Sequence, residues 1–259
     1  MKKSTSSFIL LSFTLLLSMA AGLTMLTSFL MPTPLTGFKI PYIVTEKKPA
    51  EYCLSPEYML NAWYDIELIR PFCDTLNLKS KDETISNNFF DDPSKLKQFE
   101  YSNMGLMIVV DTTNELAMTK KPIWASYLFH HNLGSKSNIL QDDTLIQDVK
   151  SFPVFIANTS ANKNAMLETQ DGSFMMIIEA RDESRNWKPI EYWSNSWCGN
   201  SYSFVIIPPK HFAFTRGVRC SGNYLTNCRL KVFNEDAVIY SNEFRMQINK
   251  TQFEKPSVN

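Results

Sequence analysis

Residues 187–209 read WKPIEYWSNSWCGNSYSFVIIPP and hold three of the five Trp of the chain, one of its five Cys and two strand-like runs. Residues 187–193 are aromatic and β-branched and predict a strand, and the polar run Ser194, Asn195, Ser196, Gly199, Asn200, Ser201 predicts a turn. Residues 202–207 predict a second strand, closed by Pro208 and Pro209. Two strands joined by such a loop form a hairpin or a crossing between sheets, with Trp193, Trp197 and Cys198 at the bend. Alternation sends Ile190 and Tyr192 to one face and Glu191 and Trp193 to the other. A carboxylate belongs in water, so Trp193 is expected to be partly exposed beside Glu191. Trp197 and Cys198 are expected to fold back as a buried plug over the end of the core.

The same pattern of short strands extends in both directions. Residues 106–110, 123–130, 152–156, 165–169, 174–180, 229–233 and 238–248 are strand-like runs divided by turn residues, with no long helix between them. Asp171-Gly172 is a two-residue hairpin signal. In 238–248, Val238, Tyr240, Phe244, Met246 and Ile248 alternate with polar residues, so one half-buried strand is expected, broken only by Asn242 on its inner face and Ile239 on its outer face. Upstream, Ser55, Pro56 and Glu57 form a helix-start signal and Pro71 a stop, which predicts a helix to about Arg70. The polar stretch 79–99, with a short helix near 94–99, is the best internal boundary.

Lys2 and Lys3 precede an uncharged run whose apolar part is 8–31. At about 1.5 Å per residue a helix of this length reaches the ~30 Å of a bilayer core. An uncleaved signal anchor and a cleaved signal peptide both fit; cleavage after the small residues Ser18 and Ala20 would leave a greasy new N-terminus. Either way the remaining chain is expected outside the cytoplasm, in the periplasm or at the cell surface, or secreted if the signal is cut. The expected organisation is 1–31 signal anchor or signal peptide, 32–50 Pro-containing linker, 51–104 helix-containing segment packing on or preceding the main domain, and 105–259 main domain. The expected fold is mainly β: an antiparallel β-sandwich, immunoglobulin-like or related, with an N-terminal transmembrane or signal-anchor helix and a short helix before the sandwich.

Lys plus Arg and Asp plus Glu both number 26, so charge points to no nucleic acid and no polybasic membrane surface. In an oxidising compartment Cys53 with Cys73 and Cys220 with Cys228 are disulfide candidates, leaving Cys198 over. Cys198 and His211 are weak candidates for a nucleophile and its base. Trp193, Asn195, Asn200 and Tyr202 are ligand-binding candidates, because rings beside amides suit a sugar or a peptide. The core-filling role of such rings competes with that reading. His130 and His131 point to opposite faces of a strand, and Asp142, Asp143 and Asp148 read as a solvated loop, so no metal or cofactor is expected. Asp65 with Glu67, or Glu179 with Asp182, are acid pairs of the kind a glycosidase uses. Asn158-Thr159-Ser160 and Asn249-Lys250-Thr251 are sequons, of use only in a eukaryotic source. No G-x-S-x-G, H-E-x-x-H or phosphate-binding glycine loop is present.

Over about 152–253, the segments FPVFIANTS, DGSFMMIIEARD, WKPIEYW, CGNSY, TNCRL and YSNEF resemble a group of uncharacterised envelope proteins of Gram-negative bacteria. The resemblance implies a secreted or membrane-anchored β-sandwich and no chemistry; Cys220 and Cys228 are not part of the shared pattern. The function expected is an envelope-anchored, extracytoplasmic module that binds or supports, held to the membrane through 8–31, with an envelope protein or glycan as partner. The alternative is a cell-envelope hydrolase using Cys198 or a carboxylate pair.

Overall fold

A computed structural model describes residues 37–45, 47–48, 50–51, 53, 59–60, 64–78, 89–90, 102–119, 148–193, 201–234 and 237–254. In chain order its strands are β1 (Tyr42–Val44), β2 (Met59–Leu60), β3 (Tyr64–Asp65), β4 (Leu68–Pro71), β5 (Thr75–Asn77), β6 (Phe89–Phe90), β7 (Leu106–Val110), β8 (Leu116–Thr119), β9 (Asp148–Asn158) and β10 (Ala165–Gln170). They continue with β11 (Ser173–Phe174), β12 (Met176–Arg181), β13 (Trp187–Pro189), β14 (Glu191–Tyr192), β15 (Tyr202–Ile207), β16 (His211–Val218), β17 (Tyr224–Asn234), β18 (Ala237–Tyr240) and β19 (Phe244–Ile248). The chain is mainly β, built from antiparallel sheets, with no described helix of seven residues or more. The apolar run 8–31 lies outside the described residues.

One sheet runs β4-β16-β9-β7, with β8 also on β9. A second runs β3-β11-β10-β15-β6, and a third runs β13-β12-β17-β18, with β19 also on β17. β1 with β5 and β2 with β14 are short parallel pairs. Pro153 sits inside the central strand β9, where a missing N–H normally breaks the ladder. It is tolerated because β7 pairs as far as Val154 and β8 begins at Ser151. The gap between them faces the proline, whose carbonyl still accepts from Asp111 N at 3.1 Å.

Side chains of these sheets meet in a large shared core, and Met166 and Ile206 form a small second cluster with Phe90 and Phe204. Phe152, Val154 and Ile156 of β9 pack with Leu167, Met176, Ile178, Leu230, Val232 and Phe244. Two buried amides join the sheets around it. Asn158 Nδ2 donates to the carbonyls of Lys163 and Ile207 at 2.8 and 2.9 Å, holding β9 against the end of β15. Asn234 at the end of β17 accepts from Glu168 N and donates to Met166 O, both at 2.9 Å, so it continues β10 where β11 has stopped. Asn158 is fully buried, which leaves no room for a glycan on the first sequon.

Several expectations hold and several do not. Asp171 and Gly172 have φ of 51° and 79° and join Gln170 to Ser173, the two-residue hairpin that both positive angles favour. The helix expected from Ser55 to Arg70 is replaced, wherever that segment is described, by β2, β3 and β4. Tyr64 and Ile66 point inward around an exposed Asp65, and β4 finds an open edge on β16, so tertiary pairing overrides the local helix signals. The segment before 105 thus contributes strands to the main sheets. The strand expected over 238–248 is two, β18 and β19, both on β17. Between Lys231↔Tyr240 and Cys228↔Phe244 two residues of β17 face three of the partner, a bulge that reverses the alternation. Val238 and Tyr240 are therefore exposed while Ile239 turns to the core. Asn242, in the bulge, uses its amide to accept from Val110 N at 2.8 Å and to donate to Val110 O at 3.0 Å. The strand expected over 123–130 lies outside the described residues.

Candidate functional site

The stretch 187–193 changes partners midway. β13 lies antiparallel to β12, while β14 lies parallel to β2, and the switch at Ile190 is pinned by its N–H donating to Ile178 O at 3.0 Å. The twist carries Glu191 inward: its side chain is fully buried, against the expectation that it faces water. Its Oε2 accepts from Tyr64 Oη and from Ile178 N, both at 2.7 Å. These two donors, both on Oε2, offset part of the cost of enclosing the carboxyl group. Because β15 pairs with β10 and not with β13, the stretch is a crossing between sheets and not a hairpin.

Cys220 and Cys228 are buried in the same region, with the Gln252 amide beside the Cys220 thiol. Burial, with the Glu191 charge next in weight, pushes the Cys220 thiol far above its ordinary range and the Cys228 thiol up to about 12. The Tyr64 phenol is raised by the same two causes. A nucleophilic thiol needs the opposite shift; burial here favours the protonated thiol. Cys53, Cys73, Cys220 and Cys228 are free thiols in this structure. Cys228 is held inside β17 between Ala180 and Phe244. Cys73 is set just past the end of β4, and the described elements between Cys53 and Cys73 are strands β2, β3 and β4.

Trp193 is half-buried and donates its Nε1–H to Gln170 Oε1 at 2.9 Å, and Tyr202 is the strand partner of that same Gln170 in the β10–β15 ladder. Asn195, Trp197, Cys198 and Asn200 lie outside the described residues, as do His130, His131, Asp142 and Asp143. His211 has Nδ1 at 2.8 Å from the Pro209 carbonyl, which can only accept, so Nδ1 carries the proton. Asp148 is tied to Lys47 at 2.6 Å. Among the described residues no group of three or more His, Cys, Asp or Glu is arranged to hold a metal ion. Asp65 accepts from Ser173 Oγ at 2.7 Å, Glu67 pairs with Arg216 at 2.9 Å and Asp182 with Lys188 at 2.9 Å. Glu179 is paired with Arg229 at 2.7 Å, so every member of both acid pairs has a neighbouring partner.

The outer face of the β13-β12-β17-β18 sheet carries what the sequence pattern concealed. Glu179 and Arg229 stand opposite each other in the ladder, and Arg229 Nε and Nη2 donate to Glu179 Oε2 at 2.9 and 2.7 Å. Lys231 Nζ holds the other oxygen at 3.2 Å. That fork fixes the guanidinium of Arg229 between two rings, 4.3 Å from the centre of Trp187 and 3.7 Å from that of Tyr240. Arg181 covers Trp187 again, at 4.4 Å. Each such contact is worth ~0.5–1 kcal/mol at an open site, and the alternation of cation and ring holds long side chains in one geometry. Beside this stack lies an open groove of about 730 Å³ between the β12–β13 turn and the strands β17 and β19. Period-two alternation is the signal that places Arg181, Arg229 and Lys231 on one outer face; their pairing with Trp187 and Tyr240 comes from strand register. No family model, no curated protein and no solved structure matches the chain.

Proposed function

We propose that this chain is a non-catalytic binding module of the cell envelope: an antiparallel β-sandwich, immunoglobulin-like or related, tethered by residues 8–31 and facing outside the cytoplasm. Its ligand is an envelope protein or glycan, taken up on the outer face of β13-β12-β17-β18. The observation that carries this reading is the stack Arg181, Trp187, Arg229, Tyr240, a rigid amphipathic surface of cations and rings beside an open groove. Arg, Trp and Tyr are the side chains that anchor interfaces, because they bring large contact area at little entropic cost once fixed. The charge balance supports a neutral, selective surface over a generic polyanion binder. The apolar run behind two lysines supports the tether.

The test has two parts. Alkaline extraction should leave the chain in the membrane fraction, with its C-terminal part open to protease added from outside; release into the soluble fraction together with full protection would refute the tether and its orientation. Full-length protein in detergent, used as bait on envelope extracts and on a glycan array, should retain a partner that Tyr240→Ala loses. Retention of nothing under several salt conditions, or of partners indifferent to Tyr240→Ala, would refute this face as the binding surface.

A further inference from the structure

The groove beside the stack has a charge account that does not close. Its wall includes Asp182, Glu183 and Glu243. Asp182 is paired with Lys188 at 2.9 Å, Glu183 with Lys250, and Glu243 with Arg181 at 3.2 Å and with Asn227 Nδ2 at 3.0 Å. All three carboxylates are thus matched. Arg185 and Arg245, which line the same groove, are exposed and have no carboxylate partner among the described residues. Arg185 moreover occupies the left-handed region, with φ of 64°, at the tip of a turn closed by its N–H donating to Asp182 O at 2.9 Å. Gly or Asn would take that backbone more easily, so a long cation is presented there at a conformational cost.

The groove also has an open strand. β12 ends its pairing with β17 at Cys228, and its last residue, Arg181, accepts from Thr226 Oγ1 at 2.7 Å through its carbonyl; beyond that contact β17 has no described strand paired on this side. Leu225, 52% exposed, gives the groove an apolar contact, and Asn227 stands opposite Arg245 in the β17–β19 ladder. A site with an unpaired strand side, an apolar contact and two surplus guanidiniums suits a backbone better than a sugar ring, because main-chain hydrogen bonds supply the affinity and alternate side chains the selectivity.

We propose that this groove binds an extended protein segment with alternating acidic and apolar side chains, laid along Leu225 to Asn227, its carboxylates meeting Arg185 and Arg245. This rests on the binding-module reading and narrows its ligand to an acidic peptide strand. The probe is a fluorescein-labelled heptapeptide of alternating Glu and Val, titrated against the full-length protein in detergent, with Gln-Val and Lys-Val peptides and an oligogalacturonate as comparisons. The Glu-Val peptide is expected to bind at least about tenfold more tightly than Gln-Val, as charged hydrogen bonds require. Arg185→Glu and Arg245→Glu should each weaken it by about tenfold or more, and raised salt should weaken it further. Both arginines are exposed, and an unchanged thermal midpoint verifies that each variant is folded. Equal binding of Glu-Val and Gln-Val, or indifference to both charge reversals, would overturn the proposal. Preferential binding of the oligogalacturonate would overturn the peptide as occupant. If every acidic probe fails while the envelope bait experiment still retains a Tyr240-dependent partner, the acidic-strand proposal falls and the binding module stands.

Discussion

Tyr64 and Glu191 are 127 positions apart in the chain and joined by a 2.7 Å hydrogen bond in its interior. Removing the phenol oxygen leaves a fully buried carboxylate with a donor fewer, which costs more than the net worth of the bond. Tyr64→Phe is therefore expected to destabilise the fold by ~1–3 kcal/mol in urea unfolding, while an unaltered midpoint would show that the pair contributes nothing. The thiols beside them make a second expectation, in pH. Cys228 is moved from its ordinary value of 9.0 up to about 12, so the folded state holds its proton more firmly than the unfolded chain does. Its contribution to stability is complete below pH 9.0 and is lost as pH rises through about 12. Cys220 and Tyr64 act in the same direction. Stability should fall with rising pH across that window, and Cys228→Ala should flatten the fall; a slope that survives the substitution unchanged would remove Cys228 as its source.

Within the elements, close approach decides where no side chain fits. Gly217 lies in β16 against the ring of Phe152, and an added Cβ would stand 2.3 Å from Phe152 Cε2. At Gly222 it would stand 2.2 Å from the Ile248 carbonyl carbon, which is backbone and has no rotamer to give. Both Gly→Ala changes are expected to destabilise by ~1–3 kcal/mol or more. They differ in rescue: Phe152→Leu should recover part of the Gly217→Ala loss in a double-mutant cycle, whereas Gly222→Ala has no side chain to trim. Additive losses for Gly217→Ala and Phe152→Leu would show that the ring is not what the glycine makes room for. The bulge at 241–243 obeys the same logic in reverse, spending an extra residue to let Asn242 reach the backbone of Val110.

Across the whole molecule the β4-β16-β9-β7 sheet is buried on both faces. Phe152, Val154 and Ile156 enter the shared core, and Phe155, Phe212 and Phe214, pointing the other way, are equally enclosed, with ring centres 5.4 and 5.5 Å from Phe155 to Phe212 and Phe214. Phe155→Ala is expected to cost ~3–5 kcal/mol, the range for a fully buried aromatic. A loss below about 1 kcal/mol in chemical denaturation would mean that this face is only shallowly covered. The outer face of β13-β12-β17-β18 contrasts with it, since its rings are stacked with guanidiniums and remain partly open.

The sequence by itself determined the class of structure and several of its parts. Short β-branched and aromatic runs divided by turn residues dictate antiparallel strands, and Asp171-Gly172 dictates its hairpin, because alternation and turn chemistry are local properties of the chain. The strand β16 escaped that reading because its HFAFTRGV run follows two prolines and carries Arg216 and Gly217, which local signals count as a turn. Partner and depth were decided only in three dimensions. The helix signals at 55–71 yielded to open sheet edges, Glu191 turned inward when its strand changed partners, and a one-residue bulge put Val238 and Tyr240 outside. The Trp187 and Arg229 stack depends on which strands lie side by side, and register between segments more than 40 residues apart is set by packing and long-range hydrogen bonds that no local window contains.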